Sequence, residues 1–333
     1  MFELPSRVLV TGGAGYIGGC LVRQLLRDGS RVRVLDALLY GSGALDAIAN
    51  HPNLEIVSGD VRDFRQVRSS LDDVQTVVHL AAIVGDAACA LDPETAISTN
   101  QLATAQLADL TAAKGISRFI LASTCSVYGA GRENLTETSP VNPVSLYAET
   151  KVVAEQGVMA RQNNQFRTTI LRFATLYGLA PRLRFDLVVN LLVARALAGQ
   201  TIEIYGGDQW RPFLHAKDAA SAIRHVLNRA PEDTSTVFNV GSTRENHKMA
   251  RLGELVARQI PGTRLTVTDS ALDQRTYHVD FERFARTGFV LGHSLDGGIR
   301  ELVAYLQENP LIRYDDPQWS NVRSLESRSP IRV

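Results

Sequence analysis

The sequence predicts an α/β protein built on a doubly wound parallel sheet, with a smaller C-terminal lobe for substrate binding. Three observations carry that prediction. Apolar runs of strand length alternate with helical periodicity, a glycine-rich turn joins the first strand to the first helix, and an aspartate ends the second strand. A chain of 333 residues, 45% of them hydrophobic, is long enough to bury the core of two such lobes.

Arg7-Val8-Leu9-Val10 is the first apolar run and leads into Thr11-Gly12-Gly13-Ala14-Gly15-Tyr16-Ile17-Gly18. Ile17 to Arg27 then shows helical recurrence, closed by Gly29. Further strands are expected at Val32 to Asp36, Leu54 to Val57, Thr76 to Leu80, Arg118 to Ser123 and Thr168 to Arg172, with helices at Thr95 to Lys114 and Leu146 to Gln162. After Tyr177-Gly178 the alternation loosens into a helix at Phe185 to Ala198, a strand at Ile202 to Ile204 and a helix at Lys217 to Asn228, while Phe238-Asn239-Val240-Gly241 again reads as a sheet strand. This gives a doubly wound, Rossmann-type domain over residues 1–177, rejoined near 213–243, and a second lobe from 178–212 and 244–315. The polar, aperiodic residues 316–333 read as a C-terminal arm.

Thirty-five basic residues balance thirty-five acidic ones, so no global field draws nucleic acid or an anionic membrane. Small-molecule chemistry is the expectation. Met1 to Arg7 has no secretory apolar region and no later run approaches a membrane span, which points to a cytoplasmic protein. Cys20, Cys89 and Cys125 are too few and too far apart for a disulfide framework or a zinc site, so reduced thiols and no metal are expected.

Both Gly12-x-x-Gly15-x-x-Gly18 and Gly13-x-Gly15-x-x-Gly18 satisfy dinucleotide-loop spacings. Glycine lets the backbone approach a pyrophosphate, and the adjoining helix offers free N–H groups and the positive end of its dipole. Asp36 is placed to accept hydrogen bonds from the adenosine ribose and to repel a 2′-phosphate, so NAD is the expected cofactor. Arg31 and Arg33, flanking that strand, leave NADP open. Asp60-Val61 comes just after the third strand, where Asp60 either accepts from the adenine amine or caps a turn. Tyr147 and Lys151 are four apart on a helix and share a face; an ammonium beside a phenol favours its ionised form and makes Tyr147 a candidate base.

In chain order, Thr11 to Gly18, Asp36, Gly59-Asp60-Val61, His79-Leu80-Ala81-Ala82, Asn100, Ser123 to Gly129, Tyr147 with Lys151, and Arg211 to Asp218 resemble the extended short-chain dehydrogenase/reductase family. Within it they resemble the NAD-dependent nucleotide-sugar epimerases and dehydratases, over roughly residues 7 to 305. The resemblance implies that Tyr16, Ile17, Leu80, Ala81, Ala82 and Asn100 join Gly12, Gly15, Gly18, Asp36, Asp60 and Val61 around NAD. Tyr147 takes the proton of a sugar carbinol, Lys151 tunes Tyr147 and binds the nicotinamide ribose, and Thr124 holds the same sugar hydroxyl. Arg211 and Arg275 contact the diphosphate of a nucleotide-diphosphate sugar, with Asn190 near it. Asp86, Cys125 and Ser126 border the sugar. Arg182 and Arg184 are either surface charges or pocket residues, and His215 is structural, in a motif that joins the lobes. Helices at Gln101 to Leu110 and Lys151 to Met159 are the expected homodimer surface.

Family dehydratases carry an Asp-Glu pair directly after the catalytic threonine, whereas here Cys125-Ser126 comes after Thr124. That favours an epimerase, most of all at C4 through a transient 4-keto sugar. An NAD(P)H-dependent 4-ketoreductase is the alternative. A thiol at this place also resembles the UDP-apiose/UDP-xylose synthases and leaves a Cys125-assisted dehydratase open, set against an inert buried cysteine. An NAD-binding sensor or scaffold is the non-enzymatic reading, against which the intact Thr124, Tyr147 and Lys151 argue.

Overall fold

The first strand, Arg7–Thr11, shows how the sheet is buried on both faces. Val8 and Val10 enter one apolar cluster and Leu9 enters another, because successive side chains of a strand point to opposite sides. Over the first face lie helices Tyr16–Arg27 and Ala216–Leu227, which contribute Leu21, Leu25, Ala219 and Ile223. Val67, Leu107, Ala154 and Val158 cover the second. The structure, a computed structural model, describes residues 7–234, 236–269 and 275–327, apart from the side chains at 132 and 133. Residues 1–6 and the last six positions of the 316–333 arm lie outside the described residues.

Seven parallel strands lie in the spatial order Val237–Val240, Arg167–Phe173, Arg118–Thr124, Thr76–His79, Arg7–Thr11, Arg31–Asp36, Leu54–Ser58. Arg7–Thr11 pairs with Arg31–Asp36 on one side and Thr76–His79 on the other. The chain therefore reverses its direction of winding beside the first strand, and the crevice beyond the strand ends at that point is where such sheets bind ligands. Val237–Val240 adds the edge strand next to Arg167–Phe173, so the chain does return to this sheet late in the sequence.

A third apolar cluster is built from Val188–Leu197, Met249–Gln259 and Leu295–Glu308, with Val189, Val193, Leu252, Val256, Ile299 and Leu302 buried between them. Trp210–His215 stitches it to the sheet side by pairing with Thr175–Tyr177. At that seam His215 is 1% exposed, its Nε2 lies 3.0 Å from Glu301, and its ring stacks on His293 with centroids 4.1 Å apart. Gly178, at φ +96°, is required there because a Cβ would fall 2.0 Å from the His215 ring.

Two elements differ from the sequence expectation. The stretch read as one helix from Thr95 to Lys114 is Pro93–Ile97, a π turn at Ser98–Leu102, and Ala103–Ala113. Residues expected in an arm instead form a short 3-10 turn, Pro317–Trp319, and a helix, Asn321–Glu326, packed against the Asp86–Leu91 helix. No helix among the described residues is long and apolar enough to cross a membrane.

Candidate active site

A cleft of about 940 Å³ opens at the ends of the central strands. Gly12, Gly15, Tyr16, Ile17 and Gly18 line one side of it. The spacing that matters begins at Gly12. Its φ is +72°, and a Cβ would sit 2.7 Å from the Ala81 backbone nitrogen. A Cβ at Gly18 would lie 2.2 Å from the Gly12 carbonyl oxygen, so the turn can close only on a hydrogen there. Gly15 caps the Tyr16–Arg27 helix without a side-chain bond, which leaves the first N–H groups facing the cleft. This backbone cradle at a helix N-terminus fits a dinucleotide pyrophosphate.

Asp36 accepts from the Ala14 N–H at 2.9 Å and the Leu38 N–H at 2.8 Å, so the glycine loop and the second strand hold each other. Burial raises its pKa, and those two backbone donors oppose the rise. The arginines that left NADP open point elsewhere. Arg33 is buried against Glu55 at 2.9 Å and donates to the Ser70 carbonyl, while Arg31 is exposed at the start of the strand. Asp60 and Val61 line the cleft, and the Asp60 carboxylate is clasped by Arg62, with contacts of 2.6 to 3.0 Å. Leu80, Ala81 and Ala82 form the floor. Beneath them His79 is buried between Thr11 Oγ1 at 2.6 Å and Thr104 Oγ1 at 2.8 Å, and burial pushes its pKa down to about 3.

Thr124, Tyr147 and Lys151 meet at the far side of this floor. Thr124 ends its strand, and its hydroxyl oxygen accepts from the Ser126 N–H at 3.1 Å, capping the short turn Cys125–Tyr128. The same hydroxyl neighbours the Tyr147 phenol in the cleft lining. Tyr147 and Lys151 lie on the helix Leu146–Met159, capped by Ser145. Lys151 is 5% exposed and donates from Nζ to the Ala122 carbonyl at 3.0 Å. Burial lowers its pKa to about 8 against the pull of Cys89 and Glu155. Burial raises that of Tyr147, and the Arg184 guanidinium and Thr124 hydroxyl pull it back. The cleft thus holds a neutral phenol with two groups poised to favour its ionised form.

Across the cleft, Arg211 is 7% exposed with its guanidinium 5.2 Å from the Tyr277 ring centre, and Arg275 is paired with Asp86 at 2.9 Å. Asp86 also accepts from Ser145 Oγ at 2.6 Å, which ties the loop after the fourth strand to the cap of the Tyr147 helix. Ser126 lines the cleft near Tyr277. Arg182 and Arg184, left open by the sequence, both line it, the latter in a bidentate pair with Asp186 at 2.7 and 3.1 Å.

Three expected contact residues are placed differently. Cys125 is 1% exposed, its thiol directed at the Arg172 carbonyl 3.3 Å away, and burial raises its pKa; the turn after Thr124 rotates it into the core. Asn100 spends its amide on both backbone groups of Ile83, at 2.8 and 2.9 Å, from within the π turn. Asn190 is fully buried and bonds the Gly178 N–H, the Arg184 carbonyl and the Tyr16 hydroxyl, so it braces the cleft from behind. Sequence reasoning missed Tyr40, Tyr205, Gln209, Met249, Asn321, Val322 and Leu325 in the lining. None belongs to a spacing pattern that would have signalled it.

A glycine cradle with its ribose carboxylate, set against a Thr/Tyr/Lys group, defines a dinucleotide-dependent oxidoreductase site. The NAD dependent epimerase/dehydratase family model matches residues 8–241, and the chain belongs to that family, with NAD as its cofactor. It is 32% identical to the low-salt glycan biosynthesis protein Agl12 of Haloferax volcanii, over 90% of this chain and 97% of that one. Identity is 30% with the dTDP-glucose 4,6-dehydratase of Streptomyces griseus, over 92% of this chain and 95% of that protein. The solved structure of Thermus thermophilus UDP-glucose 4-epimerase in complex with NAD is 25% identical, covers 90% of this chain and 99% of that chain, and superposes with a TM-score of 0.77.

Proposed function

We propose that the protein is a nucleotide-sugar epimerase acting at C4 through a transient 4-keto sugar. The observation that carries this reading is the orientation of the residue after Thr124. Elimination of water needs an acid and a base beside the sugar, and the side chain in that position, Cys125, is turned into the core. The carboxylates lining the cleft among the described residues are Asp36, Asp60, Asp86, Asp92 and Asp186, and each is engaged by a backbone N–H or a cationic side chain. Oxidation of one carbon, rotation of the keto sugar and re-reduction from its other face need no acid or base beyond Thr124 and Tyr147 with the cofactor.

NAD, when bound, supplies the acceptor and donor of the hydride. Gly12, Gly15 and Gly18 hold its pyrophosphate, Asp36 its adenosine ribose and Lys151 its nicotinamide ribose. Thr124 orients the sugar hydroxyl, and Tyr147 takes its proton as phenolate and returns it as phenol. The neutral phenol that burial favours is the species required for the return step. Arg211 and Arg275, which line the cleft, would meet the diphosphate, since forked guanidinium donors match its oxygens.

Incubating the protein with UDP-, dTDP-, GDP- and CDP-sugars without added cofactor tests this reading. Epimerised product is expected, whereas turnover only with stoichiometric NADH or NADPH would establish the ketoreductase instead. Related proposals are a cytoplasmic location, checked by fractionation, and a homodimer through the helices carrying the exposed Leu102, Val153 and Met159, checked by molar mass in solution.

A further inference from the structure

Residues 317–327 make contacts that a loose arm would not. Trp319 presents its carbonyl to the Phe185 N–H at 2.7 Å. Asn321, 3% exposed, accepts from Arg182 Nη1 at 2.8 Å through Oδ1, and the Gln318 carbonyl accepts from Nη2 at 3.4 Å. Arg182 is itself 5% exposed, and its guanidinium carbon lies 4.3 Å from the ring centre of Tyr40. Its Nε makes no hydrogen bond among the described residues, so the hydrogen bonds of this buried cation go to the C-terminal segment, with the Tyr40 ring and the charges of Asp186 and Asp36 beside it. Tyr40 belongs to the loop that begins at Asp36.

On the same short helix, Val322 and Leu325 join a cluster with Leu39, Ile83, Ala88, Cys89 and Tyr147. Asn321, Val322 and Leu325 line the same cleft as the glycine loop. One segment therefore packs on the Asp86–Leu91 helix, shares an apolar cluster with Leu39 and Tyr147, and reaches Tyr40 of the loop after the second strand through Arg182. A segment needed only to complete the second lobe would have no reason to reach all three.

We propose that residues 317–327 are a strap that retains NAD, with Asn321 and Arg182 as the positioning residues that fix the Asp36–Gly41 loop against the bound cofactor. The strap forms a wall of the cleft, and the cofactor leaves only when the Asn321–Arg182 tie and the Val322 and Leu325 contacts let go. The inference rests on NAD binding and not on the C4 reading, so either can fail without the other.

The test uses the full chain loaded with NAD and monitors release of the free nucleotide over time. Asn321→Ala is expected to release NAD about tenfold faster, equivalent to about 1.4 kcal/mol. Asn321→Asp, which offers the guanidinium a charged acceptor, is expected to restore the wild-type rate or slow it further. Release from Asn321→Ala within twofold of wild type overturns the proposal, as does failure of Asn321→Asp to restore retention. If Asn321→Ala does not fold, hydrogen exchange on the wild-type protein decides: amides of residues 320–327 are expected to gain at least tenfold protection when NAD is added, and unchanged exchange overturns the proposal.

Discussion

Replacing Lys151 by methionine should make the cofactor-free protein more stable at neutral pH. The ammonium is 5% exposed, and burial holds its pKa at about 8 against 10.5 for a free lysine. A buried cation of this kind binds its proton less tightly in the folded chain than in the unfolded one, so folding stability rises with pH between those two values. At pH 7 the charged group costs about 3 kcal/mol, and by pH 9.5 that cost falls to roughly 1.4 kcal/mol. Methionine also loses the bond from Nζ to the Ala122 carbonyl, worth about 1 kcal/mol. The net gain at pH 7 is thus about 2 kcal/mol, shrinking to near zero at pH 9.5. Urea unfolding of NAD-stripped wild type and Lys151→Met at the two pH values measures it. A variant less stable than wild type at pH 7, or a difference that does not shrink with pH, would refute the reasoning. Activity should be lost in the same variant, because the residue that destabilises the empty cleft is the one proposed to bind the nicotinamide ribose.

Gly18→Ala should abolish NAD binding while leaving the second lobe folded, since its Cβ would meet the Gly12 carbonyl oxygen at 2.2 Å and force the loop open; titration with NAD monitored by calorimetry checks this. Cys125→Ala should keep turnover within about threefold and cost about 1 kcal/mol of stability, because the thiol faces the core. A hundredfold loss of turnover with NAD binding intact would return Cys125 to the chemistry.

The features legible in the sequence are those whose physics is local. The Gly12, Gly15 and Gly18 turn, Asp36 at the end of the second strand, and Tyr147 with Lys151 one helical turn apart can each be read from spacing along a short stretch of chain. What escaped depends on where an element's end points. Thr124 faces the cleft because it still belongs to the strand, and Ser123 beside it turns to Glu155. Cys125 then opens a 3-10 turn and leaves the alternation altogether, which no strand pattern could foretell. Asn100 reads from sequence as part of an ordinary helix, and the π turn that carries it redirects its amide to Ile83. The Asn321–Glu326 helix is six residues long, and Val322 and Leu325 are its only large apolar side chains, too few to set up a period. It is held by Arg182 and by the Asp86–Leu91 segment, both remote in sequence.

His79 gives the cleft one more property. A ring with a pKa near 3 carries no charge at any pH where the enzyme would be assayed, so its bridge from Thr11 to Thr104 is indifferent to acid and base over that range. Although the residue is a histidine under the expected cofactor site, it will leave no mark on a pH–rate profile. Inflections in such a profile therefore belong to other groups, Tyr147, Lys151, Asp36 and the substrate among them.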